Sequence, residues 1–146
     1  MTISLGCDHG GFALKEEIKK HLVDNGCAVR DCGTYSTDSC DYPRFAHAAA
    51  RCVASGECER GIVICTTGIG VSIAANKVKG IRCALCHDVT TARLTREHND
   101  ANMLAIGAGV VGKNVAMDIV DTFLSTAFSE GERHKRRIAA IEAVDD

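Results

Sequence analysis

Gly61-Ile-Val-Ile-Cys-Thr-Thr-Gly-Ile-Gly-Val-Ser72 decides how the rest of the chain folds. Gly61 to Cys65 has the short, unbroken apolar character of a buried strand. The two threonines and Gly68 then turn the chain into Gly70 to Lys77, predicted as helix. A strand that enters a glycine turn and a helix is the first half of a βαβ unit. The same alternation extends in both directions. Upstream, Ile3 to Cys7 reads as strand, and Leu14, Ile18 and Leu22 recur at helical spacing before an Asn25-Gly26 cap. Cys27 to Cys32 reads as a second strand, Gly33 to Asp41 as a polar loop, and Tyr42 to Ser55 as an alanine-rich helix. Downstream come a strand over Ile81 to Cys86, a helix over Val89 to Glu97 and a strand over Asn102 to Ile106. An amphipathic helix over Lys113 to Phe128 and a charged terminal helix follow. Five strands alternating with helices predict a three-layer α/β/α Rossmann-like fold with a five-stranded parallel sheet. In such sheets ligands sit beyond the carboxyl ends of the strands, where strand order reverses.

The chain's 146 residues suit one domain with its own core, covering 1–146. Seventeen basic against 19 acidic side chains give a net charge of -2, and only two tyrosines and four phenylalanines are present. That balance argues against a nucleic-acid binder. The longest apolar stretch, Ala101 to Val111, is too short to span a bilayer, and the first residues lack a basic leader, so a cytoplasmic location is expected. Nine cysteines, odd in number and irregularly spaced, are expected to be free thiols. Cys83 and Cys86 form a C-x-x-C, but a strand points them to opposite faces, so no metal site is expected there.

Four places carry chemistry, two of them at the ends of predicted strands. Gly6-Cys-Asp-His-Gly-Gly11 sets a carboxylate beside an imidazole at a helix start: Asp8 and His9 suit an anion site, or Asp8 merely caps the helix. Cys65-Thr-Thr-Gly-Ile-Gly-Val-Ser72 brings a thiol and two hydroxyls to a second helix start. There glycines let the backbone approach a ligand, and the helix dipole favours a thiolate. The bland alternative is a buried cysteine beneath a turn. A dinucleotide loop fits less well, because Ile73 stands at the third glycine position although Asp88 lies twenty residues beyond Gly68. No Gly-Lys-Ser or Gly-Lys-Thr exists for a P-loop. His98 and Asn99 follow a helix, where an imidazole can move protons near neutral pH or bond backbone carbonyls. Arg133, Arg136 and Arg137 share one helix face beside His134, a phosphate grip or a solvated basic patch.

Taken together, Gly6 to Gly11, Asp41-Tyr-Pro43, Gly61 to Lys77, Glu97-His-Asn-Asp100 and Arg133-His134 with Arg137 resemble ribose-5-phosphate isomerase type B and its relatives. Those relatives include the galactose-6-phosphate isomerase subunits, and the resemblance runs nearly end to end. It implies an aldose–ketose isomerase without cofactor or metal that interconverts D-ribose 5-phosphate and D-ribulose 5-phosphate through a cis-enediolate. An isomerase of allose 6-phosphate or galactose 6-phosphate, or an inactive phosphosugar-binding subunit, are the other readings. By resemblance Cys65 is the base, Thr67 handles protons at the sugar oxygens, and the backbone from Gly68 through Gly70 and Val71 to Ser72 stabilises the enediolate. His98 opens the sugar ring, from a partner chain together with Asn99, while Asp8 and Tyr42 orient hydroxyls. His9, Arg133, His134 and Arg137 hold the phosphate. The assembly implied is a homodimer or dimer of dimers with the site at the interface. Two positions depart from the family pattern: Thr66 stands where glycine is common, and Gly109 where many members carry an arginine, a contact Arg136 is placed to replace.

Overall fold

Three apolar runs, Thr2–Cys7 (β1), Arg60–Cys65 (β3) and Met103–Gly107 (β5), form the centre of a parallel sheet. The shorter Ala28–Asp31 (β2) and Cys83–Leu85 (β4) edge it, giving the order β2-β1-β3-β5-β4. This computed structural model describes residues 1–144. Alternate residues of the central strands feed two separate cores, as the two-residue period of a strand requires. Leu5, Ile62, Ile64, Leu104 and Ile106 pack against Ile18 and Leu22 of α1 (Phe12–Asp24), Ala92 of α4 (Val89–Asn99) and Phe123 of α5 (Lys113–Ser125). Val63, Cys65, Met103 and Ala105 pack the other way, against Ala46, Ala49 and Ala50 of α2 (Tyr42–Ala54) and Val71, Ala74 and Ala75 of α3 (Ile69–Asn76). The run of alanines lets α2 and α3 lie close to the sheet and to each other. A sixth helix, α6 (Glu132–Glu142), lies against α4. The expected three-layer α/β fold is therefore what the chain adopts.

The element boundaries differ from expectation in ways the local chemistry explains. The last long helix stops at Ser125, not Phe128: Thr126 turns to extended backbone, φ -91° and ψ 123°, while its hydroxyl donates to the Thr122 carbonyl at 2.6 Å. The fourth strand is three residues, not six, since the Arg82 amide bonds the Asn102 side chain instead of a strand partner. Asp88 is the N-cap of α4, its Oδ1 accepting the Thr91 amide at 2.7 Å, which accounts for its place in the sequence without a ribose to bind.

All nine cysteines are free thiols. Cys83 and Cys86 join opposite cores, as their spacing predicts. Burial pushes the Cys7 and Cys32 thiols up to about 12 and Cys58 to about 11, and it raises Cys83 and Cys86 as well. These five behave as small hydrophobic groups. Among the described residues no helix is long and apolar enough to cross a membrane.

Candidate active site

Chain order reverses between β1 and β3, because β1 is followed outward by β2 and the chain then crosses back to β3 on the other side. A cleft at that point is a consequence of topology, and the two glycine-rich turns meet there. Gly11 makes the approach possible: a Cβ on it would lie 2.4 Å from the Ile64 carbonyl oxygen, so α1 starts directly against the end of β3. Asp8, buried at the end of β1, accepts the Gly11 amide on Oδ1 at 3.1 Å. The bland expectation for Asp8 is thus met in part, while its second oxygen is left for other use. His9 is exposed, and the Cys40 amide donates to its Nδ1 at 3.3 Å, which leaves Nε2 to carry the proton of the neutral ring.

Cys65 ends β3 with 5% of its surface exposed, and the Gly68 amide donates to its sulfur at 3.1 Å. Gly68 caps α3 in the left-handed conformation, φ 76°, and its α-carbon sits so close to β5 that a Cβ would be 2.8 Å from the Ile106 carbonyl carbon. The amide of Ile69 donates to Thr67 Oγ1 at 3.2 Å, and that of Ser72 to the Gly68 carbonyl at 3.2 Å. Gly70 and Val71 occupy the second and third helical positions, whose amides a helix cannot satisfy internally. Two N–H donors at the positive end of α3 therefore stand beside the thiol. Tyr42, at the start of α2, covers them: a Cβ on Gly70 would meet its ring at 2.5 Å.

The remaining predicted residues lie elsewhere. α4 runs back down the sheet, so His98 and Asn99 at its end precede β5, whereas Cys65 is level with Gly107 at the far end of that strand. About 13 Å of strand separates the two levels at roughly 3.3 Å per residue. There the His98 ring stacks on His134 of α6, with centroids 4.4 Å apart and planes 14° from parallel. Ser129 holds the helices together, its amide and hydroxyl both donating to the Glu97 carbonyl, at 3.2 and 2.7 Å. Glu97, His98, Arg133 and His134 line an open hollow of about 540 Å³, with Arg137 one turn further along α6. Loss of hydration, then the positive fields of His98, Arg133 and Arg137, hold the His134 ring below the usual imidazole range. One chain thus carries two separate clusters: a thiol, a carboxylate and free amides at one end of the sheet, and a cationic cluster at the other.

Chemically, a thiol beside helix-start amides can take a proton and meet a developing negative charge, and a cationic cluster attracts anions. The Ribose/Galactose Isomerase family model matches residues 3–141. The chain belongs to the ribose/galactose isomerase family. Ribose-5-phosphate isomerase B of Escherichia coli is 50% identical over 143 residues, covering 98% of this chain and 95% of the relative. Galactose-6-phosphate isomerase subunit LacB of Clostridium acetobutylicum is 42% identical, covering 97% and 82%. The solved ribose-5-phosphate isomerase B of Clostridium thermocellum superposes with a TM-score of 0.96 at 54% identity, covering 97% of this chain and 95% of that one.

Three contributors escaped the sequence reading. The Cys40 amide fixes His9, and Ser129 staples α4 to α6; neither leaves a motif. Lys15 lies fully buried beside β2, its ammonium on both Asp31 oxygens at 2.8 and 2.9 Å and on the Thr34 carbonyl at 2.7 Å. It anchors the chain just after β2, below the turn that leads to Cys40.

Proposed function

We propose that the protein interconverts D-ribose 5-phosphate and D-ribulose 5-phosphate in the cytoplasm, the whole chain acting as one domain. The observation that carries this reading is the buried Cys65 thiol beneath the first turn of α3, with free amides beside it. Aldose–ketose isomerisation needs a base at C2, donors for the oxygen that gains charge, and an anchor for the phosphate. Cys65, as thiolate, takes the C2 proton; its electron pair forms the C1–C2 double bond, and the C1 carbonyl oxygen becomes the enediolate oxygen. Gly68, Gly70, Val71 and Ser72 line that position, the amides of Gly70 and Val71 donating. Thr67 passes a proton between the two sugar oxygens. The Cys65 thiol then protonates C1 as the carbonyl forms at C2. Asp8 and Tyr42 orient hydroxyls, and His9 acts at the phosphate end with Arg133, His134 and Arg137. His98, with Asn99, opens the furanose.

The half-sites at opposite ends of one sheet favour a homodimer in which one chain's Cys65 cleft meets its partner's α4 and α6. The names of relatives favour ribose 5-phosphate as substrate over galactose 6-phosphate. The test is turnover of ribose 5-phosphate, allose 6-phosphate and galactose 6-phosphate by chelator-treated wild type and Cys65→Ala. Turnover of ribose 5-phosphate that vanishes in the variant is expected; binding without turnover would make the protein a phosphosugar-binding subunit. Mixing inactive Cys65→Ala with inactive His98→Ala then tests the dimer. Subunit exchange should restore about a quarter of wild-type activity, because half of the dimers hold one complete site. No recovery after exchange would put both residues in one chain's site.

A further inference from the structure

The ends of β1, β3 and β5 stand side by side, and just beyond them one side chain fills the gap between two glycines. Thr66 follows Cys65 and is exposed in the cleft. Its Oγ1 lies 2.3 Å from the point where a Cβ on Gly10 would stand, and Asp8 Oδ1 lies 3.4 Å from that same point. On its other side the methyl carbon, Cγ2, lies 2.9 Å from the Cβ position of Gly109, while the Gly109 amide donates to the Thr66 carbonyl at 2.8 Å. Neither Gly10 nor Gly109 has a left-handed backbone. Space, not conformation, keeps side chains off both flanks.

We propose that Thr66 limits the length of phosphosugar the site accepts, and that positions 10 and 109 are glycine because Thr66 stands between them. This rests on the isomerase reading above. The threonine side chain adds three heavy atoms next to the base, where the reacting carbons must sit. A six-carbon sugar phosphate, gripped by its phosphate, adds one CHOH unit between that grip and the reacting carbons. That unit, two heavy atoms, competes for the volume the Thr66 side chain fills. Thr66 is exposed in the cleft, so the wall that shortens it also offers a hydroxyl to the shorter substrate. An arginine at position 109 and a threonine at position 66 exclude each other for the same steric reason, which joins the two departures from the family pattern into one.

The experiment measures kcat/KM for ribose 5-phosphate and allose 6-phosphate, and Tm, for wild type, Thr66→Gly, Thr66→Ser, Gly109→Ala and the Thr66→Ser/Gly109→Ala double variant. Thr66→Gly should shift the ratio of the two specificity constants toward the six-carbon sugar by about tenfold, the scale set by one carbon unit in a pocket. Gly109→Ala should lower Tm and turnover in wild type and much less in the Thr66→Ser background, where the obstructing methyl is gone. A ratio that moves by less than about twofold in Thr66→Gly overturns the length limit. Equal Tm losses for Gly109→Ala in both backgrounds overturn the steric pairing. Should Thr66→Gly fail to fold, Thr66→Ala takes its place in the ratio measurement. Should wild type turn over neither sugar, the isomerase reading fails by itself. The limit is then read from the Tm rise each sugar phosphate produces, and equal rises in wild type overturn it.

Discussion

Replacing Gly68 with alanine separates the two demands that glycine meets at the candidate site. Its φ of 76° costs an L-residue about 1–2 kcal/mol. A Cβ there would also lie 2.6 Å from Leu85 Cδ1, 2.8 Å from the Ile106 carbonyl carbon and 2.9 Å from the Gly107 nitrogen. The leucine can rotate away, but two of the three obstacles are backbone atoms of a central strand, so relief means moving β5 or the turn. Overpacking of this kind costs about 1–3 kcal/mol more. Gly56 supplies the control: its φ is 81°, yet nothing lies within 4 Å of its Cβ position. Gly56→Ala therefore pays the conformational part alone. At about 2–4 °C per kcal/mol for a chain near this size, Gly56→Ala should lower Tm by about 2–8 °C, and Gly68→Ala by about 4–20 °C. Within that spread, the Gly68 variant should melt below the Gly56 variant in the same experiment. Thermal unfolding followed by circular dichroism measures both. The Gly68 amide also donates to Cys65 Sγ, so a shifted turn should lower turnover in Gly68→Ala and leave Gly56→Ala at wild-type activity. Equal Tm losses in the two variants would refute the crowding argument, and full activity in Gly68→Ala would refute the link from turn to thiol.

The buried Lys15–Asp31 pair makes a second prediction. Asp31→Asn leaves the ammonium with the Thr34 carbonyl and a 3.4 Å contact to Glu16, and it should cost about 3–5 kcal/mol in denaturant unfolding; Lys15→Met/Asp31→Leu should cost less than the single change. Burial works to raise the Asp31 carboxyl, but hydrogen bonds from Lys15, the Gly33 amide and Lys19 outweigh it and hold the group below the usual carboxylate range. The unfolded carboxyl therefore takes up its proton first as pH falls. The pair's contribution is complete above the ordinary aspartate range and is lost as pH drops through the lower folded value; stability that rises on acidification through that window would contradict this. A third prediction concerns His134, whose ring is held below the usual imidazole range. In NMR titration it should gain its proton at lower pH than an exposed histidine, and inorganic phosphate should move that titration upward, since an anion between Arg133 and Arg137 favours the charged ring. No upward movement at saturating phosphate would remove His134 from the anion grip.

The fold was legible because hydrophobic period and punctuation agreed: Ile62 and Ile64 on one side and Val63 and Cys65 on the other are what a strand buried on both faces requires. Gly26 and Gly68 sit where turns were expected. The ends of β4 and α5 were not legible, because they fall at the Arg82–Asn102 hydrogen bond and at the turn of Thr126 to extended backbone, residues with no strong local preference. Around the site, order and spacing picked out Asp8, Cys65 and His98 but not that the last stands at the opposite end of the sheet from the other two. That separation follows only once α4 is known to run antiparallel to β5. Lys15 was invisible for another reason: a lysine at a buried helix position looks like an exposed one until the carboxylate that receives it, sixteen residues away, is in place.

The division of the site also gives meaning to the outer face of α3. Ile69 and Ile73, one helical turn apart, are 50% and 57% exposed, directly beside the Gly70 and Val71 amides. In a monomer only the Tyr42 ring shields those amides, and water that reaches them weakens the donors by competition and by its high dielectric. In the proposed dimer, where a second copy seats its α4 and α6 cluster over Cys65, this face is exposed apolar surface next to the cleft. Covering the two isoleucines would then supply association free energy and dry the oxyanion position in the same step. On that view the exposed isoleucines belong to the chemistry as much as to the assembly. A polar replacement at Ile73, remote from the thiol, should weaken the dimer and lower turnover at dilute protein, with both deficits recovering together as concentration rises.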